Sequence, residues 1–295
     1  MKSLSPILLF VYKRLDTLQY TVNALQNNYL ANESELFIFS DFAKSENDIE
    51  KVLKVREFIK TISGFKNVEI FEAQSNIGLA NSIINGVNKV IERYERVIVL
   101  EDDLVTSKNF LIYMNESLNF YEKNLKILSI SGYMPNINIP VDYKYSVFFE
   151  RRTTSWGWAT WKNRWEKIDW NIDDYQNYFS SFQKRWDFYK LGYNLYPMLG
   201  KQTRGEIDTW DVQFVLHQFK YNYLSVFPVV SKVKNIGFGV DATHTSKNIN
   251  YNDSLDQSKE FGSFDFPDDI FLNNSISKKF QFNYSALNSI LNRFF

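Results

Sequence analysis

Apolar positions in the first 132 residues follow two alternating rhythms. Short runs rich in β-branched and aromatic residues at 6–12, 36–40, 68–73, 96–100 and 127–131 have the length of strands. Between them, apolar residues recur at helical spacing. Asp16 opens one such segment, with Gln19 as a capping-box partner and Leu18, Val22 and Leu25 on one stripe. Ser45 opens a second, with Asp48 three positions on and Ile49, Val52, Leu53 and Ile59 following up to Gly64. A third runs from Gly78 to about Arg93, and a fourth covers about 108–124. Five strand–helix units of this kind predict an α/β fold, a mostly parallel sheet flanked by helices.

The rhythm changes after Gly132. Residues 143–170 are crowded with aromatics and Arg, and 173–196 predict one amphipathic helix. Asp211 begins a short helix with Val212, Val215, Leu216 and Phe219 on one stripe, and 224–233 predict a strand. Residues 248–269 are polar and punctuated by Asn, Asp, Ser and Gly, which predicts surface loops, and 284–295 predict a closing helix. The expected organisation is a β/α half (1–132), a second half of the same domain (133–247) and a tail (248–295).

Charge and composition narrow the function. Lys and Arg number 34 and so do Asp and Glu, so the net charge is zero and the basic surface of a nucleic-acid polymer binder is not expected. With no cysteine, thiolate metal sites, disulfides and cysteine nucleophiles are excluded. No apolar run reaches membrane-span length, and the first six residues do not form a signal peptide, so the expected location is cytoplasmic. Aromatics at 17% suit either a heavy core or platforms for flat ligands.

Glu101, Asp102 and Asp103 follow directly on the strand 96–100. In open α/β sheets ligands collect at the carboxyl ends of strands, and hard oxygen donors suit Mg²⁺ or Mn²⁺. Side chains two apart on extended chain share a side, so Glu101 and Asp103 face one way and Asp102 the other. The same triplet could instead cap the next helix or face water. Asp211, at a helix start, suits a general base or a plain N-cap, with Thr209 as the alternative cap. Residues 76–81 could offer backbone N–H groups to an anion. Trp161 and Trp165, four apart, suit a packed helix face, which leaves Trp156 and Trp158 nearer to substrate. His217 reads as structural.

The strand ending in Glu101-Asp102-Asp103-Leu104, followed by Ser107-Lys108-Asn109-Phe110, resembles the metal-binding signature of GT-A fold nucleotide-sugar glycosyltransferases, with N-acetylglucosaminyltransferase I and bacterial sugar transferases as the nearest likeness. The resemblance extends over about residues 6–244. It implies that Asp103 and His244 serve the metal, that Glu101 and Asp102 reach donor hydroxyls, that Arg14 contacts the donor's phosphates and that Asp41 reads the base. It places Asn76 and Gly78 beside the donor, and Arg151, Arg152, Trp156 and Trp158 on the acceptor side. Trp210-Asp211 resembles the segment carrying the general base, although the family has two acids after the Trp and here Val212 follows Asp211, so Asp208 stays a candidate. Gly237-Phe238-Gly239 and Asp241-Ala242-Thr243-His244 resemble the family's closing loop. The implied protein is an inverting, Mn²⁺- or Mg²⁺-dependent hexosyltransferase. Its donor is a nucleotide-diphosphate sugar, UDP being the first choice, and its acceptor is a glycan or lipid-linked glycan in bacterial surface polysaccharide synthesis. The C-terminal Ile290, Leu291, Phe294 and Phe295 suit packing back on the domain or, as the alternative, peripheral contact at the inner membrane face. Two rivals are a sugar-1-phosphate nucleotidyltransferase, which would want glycines where Val11-Tyr12-Lys13-Arg14 stands, and a non-catalytic glycan-binding protein.

Overall fold

The structure, a computed structural model, describes residues 3–238, 254–258 and 263–294. Ten strands and eleven α-helices alternate as the apolar rhythm predicts through the first half: β1 (Ile7–Val11), α1 (Leu15–Gln26), β2 (Glu35–Ser40), α2 (Glu46–Ile59), β3 (Asn67–Glu72), α3 (Leu79–Tyr94) and β4 (Arg96–Glu101). A short β5 (Leu104–Thr106) then precedes α4 (Phe110–Tyr121) and β6 (Ile127–Ser131). The second half contributes β7 (Val147–Glu150), β8 (Trp158–Trp161), β9 (Leu224–Pro228) and β10 (Val233–Asn235). The main sheet has the order β3-β2-β1-β4-β8-β6-β9-β7, and β10 pairs antiparallel with β5 in a separate ribbon.

β1 to β4 are mutually parallel, and so are β6 and β9, whereas β8 runs antiparallel to β4 and β6, and β7 antiparallel to β9. Strand alternation sorts the core into two faces. Ile7, Leu9 and Val11 pack with Leu18, Val22 and Leu25 of α1, Val55 and Ile59 of α2, and the apolar face of α4. Leu8 and Phe10 point the other way, onto Ile83, Val87 and Ile91 of α3 and onto Trp158, Trp165 and Trp210. The α/β expectation therefore holds, with helices on both faces.

Four expectations about elements are corrected. Asp16 does not cap α1, which begins at Leu15; it lies in the first turn, where its charge suits the helix dipole. The single helix expected over 173–196 is three: α6 (Tyr175–Tyr178), α7 (Phe182–Tyr189) and α8 (Leu195–Thr203). Extended Ser181 and the Gly192-Tyr193-Asn194 turn divide them, and their apolar residues converge with those of α9 (Asp211–Lys220) in a helical cluster. The strand expected over 224–233 breaks after Pro228, which has no N–H to continue a ladder; the chain leaves the main sheet and re-pairs as β10. The tail carries α10 (Asn274–Asn283), unforeseen, ahead of α11 (Ala286–Phe294). Ile276 and Phe280 of α10 cover Met134, Phe148 and Phe227 at the β7 end of the sheet.

Candidate active site

The winding of β1 to β4 creates the site. From β1 the chain moves outward to β2 and β3, then returns to lay β4 on the other side of β1, so the crevice at the carboxyl ends of β1 and β4 is a topological switch point. The register pairs Phe10 with Glu101, which brings the residues after β1 beside the acids after β4. Tyr12 N donates to Asp102 Oδ2 at 3.2 Å, and Arg14 Nη2 donates to Asp102 Oδ1 at 2.5 Å and Asp103 Oδ2 at 2.8 Å. Arg14 is therefore spoken for by the acids, and its guanidinium is pinned at the edge where the resemblance wants a phosphate contact.

The charge balance at this edge is unfavourable to the acids. Burial pushes Asp102 up to about 6, with Arg14 opposing and Asp103 adding to the shift. Glu101 is pushed well above the usual carboxylate range by burial and then by Asp103, Asp102 and, from farther off, Asp211. Its carboxyl makes no hydrogen bond among the described residues. Arg14 is held charged by Asp102 and Asp103 in spite of its burial. A divalent cation would relieve this excess of carboxylate, and hard oxygens are the donors Mg²⁺ and Mn²⁺ take. Among the described residues no group of three or more His, Cys, Asp or Glu could hold a metal alone. The residues thus fit an ion that completes its shell with oxygens from a ligand.

The β5–β10 ribbon brings a second segment over the acids. Ile236 N donates to Asp103 O at 2.9 Å, and Gly237 lies so close that a Cβ there would collide with Asp103 Oδ2 and crowd Arg14 Nη1. Gly237 and Phe238 begin the expected closing loop at the acid edge; Gly239, Asp241 and His244 lie outside the described residues. Phe238 meets Trp156, which also packs edge-on against Tyr133 at 4.5 Å. Trp158 is corrected: it does not face the site but is fully buried in the core, 4.7 Å from Trp210 and 5.6 Å from Trp165. The alternation of β8 decides this, since Trp158 pairs with Val99 and shares its inward face. Trp161 and Trp165 are buried as expected.

The anion cradle expected at 76–81 is filled by the protein's own carboxylates. Asp41 accepts from Ile77 N and Gly78 N, both at 3.0 Å, from Phe42 N at 2.8 Å and from Asn76 Nδ2 at 2.9 Å. Asp208 accepts from Leu79 N at 2.6 Å and Ala80 N at 3.2 Å. Four successive N–H groups at the start of α3 are thereby satisfied. Gly78, at φ +82, is required twice over: its conformation favours glycine, and a Cβ would strike Asp208 Oδ2. Asp208 therefore works as a remote cap that ties the segment before α9 to the first half of the domain. Asp41 staples the loop through all four bonds.

Asp211 occupies the first position of α9, after Trp210, so it is not the N-cap; Thr209 Oγ1 donates to Asp211 Oδ1. Its charge bears on Glu101 on one side and on Arg152 on the other. Arg152 Nη1 donates to Leu191 O at 2.7 Å, and its guanidinium lies 4.0 Å from the Tyr284 ring centre. Arg151 is exposed. Sequence reasoning missed Tyr284, whose place beside Arg152 depends on the docking of α10, for which neither spacing nor motif gave a signal. His217 is buried with both ring nitrogens lacking hydrogen-bond partners, and its ring packs against Tyr221 and Tyr223.

No family model matches the chain, and no curated protein matches it in sequence. Solved structures do match. TarS from S. aureus is 12% identical over 48% of this chain and 24% of its own, with a TM-score of 0.32. The mannosyltransferase PcManGT from Pyrobaculum calidifontis, in complex with GDP-Man and Mn²⁺, is 11% identical over 58% of this chain and 48% of its own, with a TM-score of 0.39. The chain spans about a quarter of the first and about half of the second.

Proposed function

We propose that the chain is a metal-dependent, inverting glycosyltransferase that takes a sugar from a nucleotide-diphosphate donor at the β1/β4 crevice. The observation that carries this reading is the meeting of Glu101, Asp102, Asp103 and Arg14 at the switch point, with the charge of Asp211, at the start of α9, bearing on Glu101. Asp103 would hold Mn²⁺ or Mg²⁺ together with the donor's phosphate oxygens, with His244 as the further ligand that the family resemblance implies. The ion supplies Lewis-acid stabilisation of the departing diphosphate. Glu101 and Asp102 bind donor hydroxyls, and Arg14 fixes the acids and adds positive charge where the phosphates lie.

Asp211 is the base. Thr209 orients its carboxylate through Oδ1 at the first turn of α9. It takes the acceptor hydroxyl proton as that oxygen bonds to the anomeric carbon and the bond to the diphosphate breaks, the electron pair leaving with the phosphate. A single base on the acceptor side, with no second nucleophile evident among the described residues, supports a single displacement that inverts the anomeric centre, as the family resemblance implies. Trp156, half-buried between Tyr133 and Phe238, forms the acceptor-side wall. A UDP donor, a hexosyl group and a role in bacterial surface polysaccharide assembly rest on the family resemblance. No described helix is long and apolar enough to cross a membrane.

The test is donor turnover. Purified protein with Mn²⁺ should slowly hydrolyse a UDP-, GDP- or dTDP-sugar, and Asp103→Asn should remove that turnover. Failure to cleave any nucleotide sugar while glycans bind would favour the lectin alternative, and formation of a nucleotide sugar from a sugar 1-phosphate and a nucleoside triphosphate would favour the nucleotidyltransferase.

A further inference from the structure

Besides Arg14, four arginines have their guanidinium groups largely withdrawn from water, and three of these are anchored by two or more hydrogen bonds. Arg56 donates to the carbonyls of Ser40, Asp41 and Ala73 and lies 3.5 Å from Glu72. Arg164 donates to the carbonyls of Ile127, Tyr121, Glu122 and Asn124. Arg96 reaches Ser3 O and Asn119 Oδ1. Arg152 differs. Its one hydrogen bond goes to Leu191 O, its Nε is buried with no partner, and no carboxylate lies within ion-pairing distance among the described residues. Burying a guanidinium without a counter-ion is costly, and the fold has nevertheless shaped itself around this one. Gly192 stands where any Cβ would collide with Nη1, and Tyr284 supplies the flat surface beneath. The residue as a whole keeps part of its surface open.

The charged groups around it define what is missing. Asp211 acts on Arg152 only at a distance, Tyr284 lies against its guanidinium, and Arg151, next in the chain, is exposed. The donor's phosphates already have Arg14 and the acid-bound cation in the reading above. Arg152 Nη2 remains, among the described residues, a charged donor with no hydrogen-bond partner, suited to an oxyanion.

We propose that Arg152 anchors a negatively charged group of the acceptor, a carboxylate or a phosphate, so that the acceptor's attacking hydroxyl falls at Asp211. This rests on the transferase reading and sharpens it: the acceptor is an acidic sugar or a sugar or polyol phosphate rather than a neutral glycan. Arg152 sets acceptor specificity and takes no proton.

The experiment titrates the full chain with four probes and follows tryptophan fluorescence: glucuronate and glycerol 3-phosphate as the carboxylate and phosphate arms, glucose and glycerol as their neutral counterparts. UDP with Mn²⁺ serves as a separate titration. Wild type should bind one anionic probe at least tenfold more tightly than its neutral counterpart, the responding arm identifying the source. Arg152→Lys, which keeps charge but loses the fork, should weaken that binding at least tenfold, and Arg152→Gln should abolish the preference, both with the UDP–Mn²⁺ titration unchanged. Equal response to charged and neutral probes in wild type, or binding of the anionic probe by Arg152→Lys as tight as by wild type, overturns the proposal, and neither result depends on Arg152→Gln folding. A wild-type protein that ignores every nucleotide with Mn²⁺ yet selects the anionic probe would overturn the transferase reading while upholding the anion site.

Discussion

Replacing Asp208 and Asp211 separately by Asn distinguishes a helix cap from a base. Asp208 accepts from Leu79 N at 2.6 Å and Ala80 N at 3.2 Å. An amide keeps one accepting oxygen and loses the charge that suits a helix N-terminus. The lost cap is worth about 1 kcal/mol and the charge–dipole attraction about 0.3–1 kcal/mol, so Asp208→Asn should destabilise by about 1–2 kcal/mol. With a urea slope of about 3 kcal/mol/M for a chain of this size, the unfolding midpoint falls by roughly 0.3–0.7 M. Transfer per folded molecule should stay within about threefold of wild type. Asp211→Asn should behave in the opposite way: a midpoint shifted by less than about 0.3 M, nucleotide binding retained and transfer reduced by about 10²–10⁴. Urea unfolding beside initial-rate assays on the same preparations decides it. A hundredfold loss of transfer in Asp208→Asn at an unchanged midpoint would make Asp208 the base and refute the cap.

Three further outcomes follow from buried polar groups. Burial pushes the Glu150 carboxyl up to about 7, against the opposing bonds from Ser277 and the Arg151 backbone. The folded state therefore holds the Glu150 proton more tightly than the unfolded state, and stability from this group is greatest below about pH 4.5 and is lost as pH rises to about 7, by roughly 3 kcal/mol. Glu150→Gln should be more stable than wild type at pH 8 and no more stable at pH 4.5 by urea midpoint; an equal gain at both pH values would contradict this. His217 acts in the other direction: burial holds it down to about 4, so stability is lost as pH falls from about 6.5 to 4, and His217→Gln should flatten that limb of the same pH series. Lys232, buried and bonded to Asp256, pins residues 254–258 to the core. Lys232→Met, which leaves Asp256 without its counter-ion, should cost about 3–5 kcal/mol, and Lys232→Met with Asp256→Leu should recover much of it in thermal unfolding.

The first half was legible because β1, β2 and β4 are buried between helices, and β3, more exposed at the edge of the sheet, still has the apolar content and length of a strand. The acid run stood out by its position directly after a buried strand, but a ligand edge, a helix cap and a solvated face stayed open until the pairing of β1 with β4 set Tyr12 and Arg14 against it. The short helices over 175–203 were not, because Ser180-Ser181 and Gly192 interrupt the backbone without disturbing the apolar stripe, and the stripe is what pattern reading follows. Trp158 was misplaced because a Gly-Trp pair looks the same whether the ring faces ligand or core; only pairing with Val99 settles the face. The role of Asp208 was hidden for a different reason. Its partners lie nearly 130 residues away, and no local spacing encodes a cap supplied across the domain.

The central claim is that the acids after β4 hold a divalent cation together with a nucleotide diphosphate. Electron paramagnetic resonance of added Mn²⁺ counts the free ion directly in the presence and absence of UDP, GDP or dTDP. One of these nucleotides should raise the affinity of wild type for Mn²⁺ at least tenfold, and Asp103→Asn should lose that gain while remaining folded. Mn²⁺ uptake indifferent to every nucleotide, or equally strong in Asp103→Asn, would contradict the account.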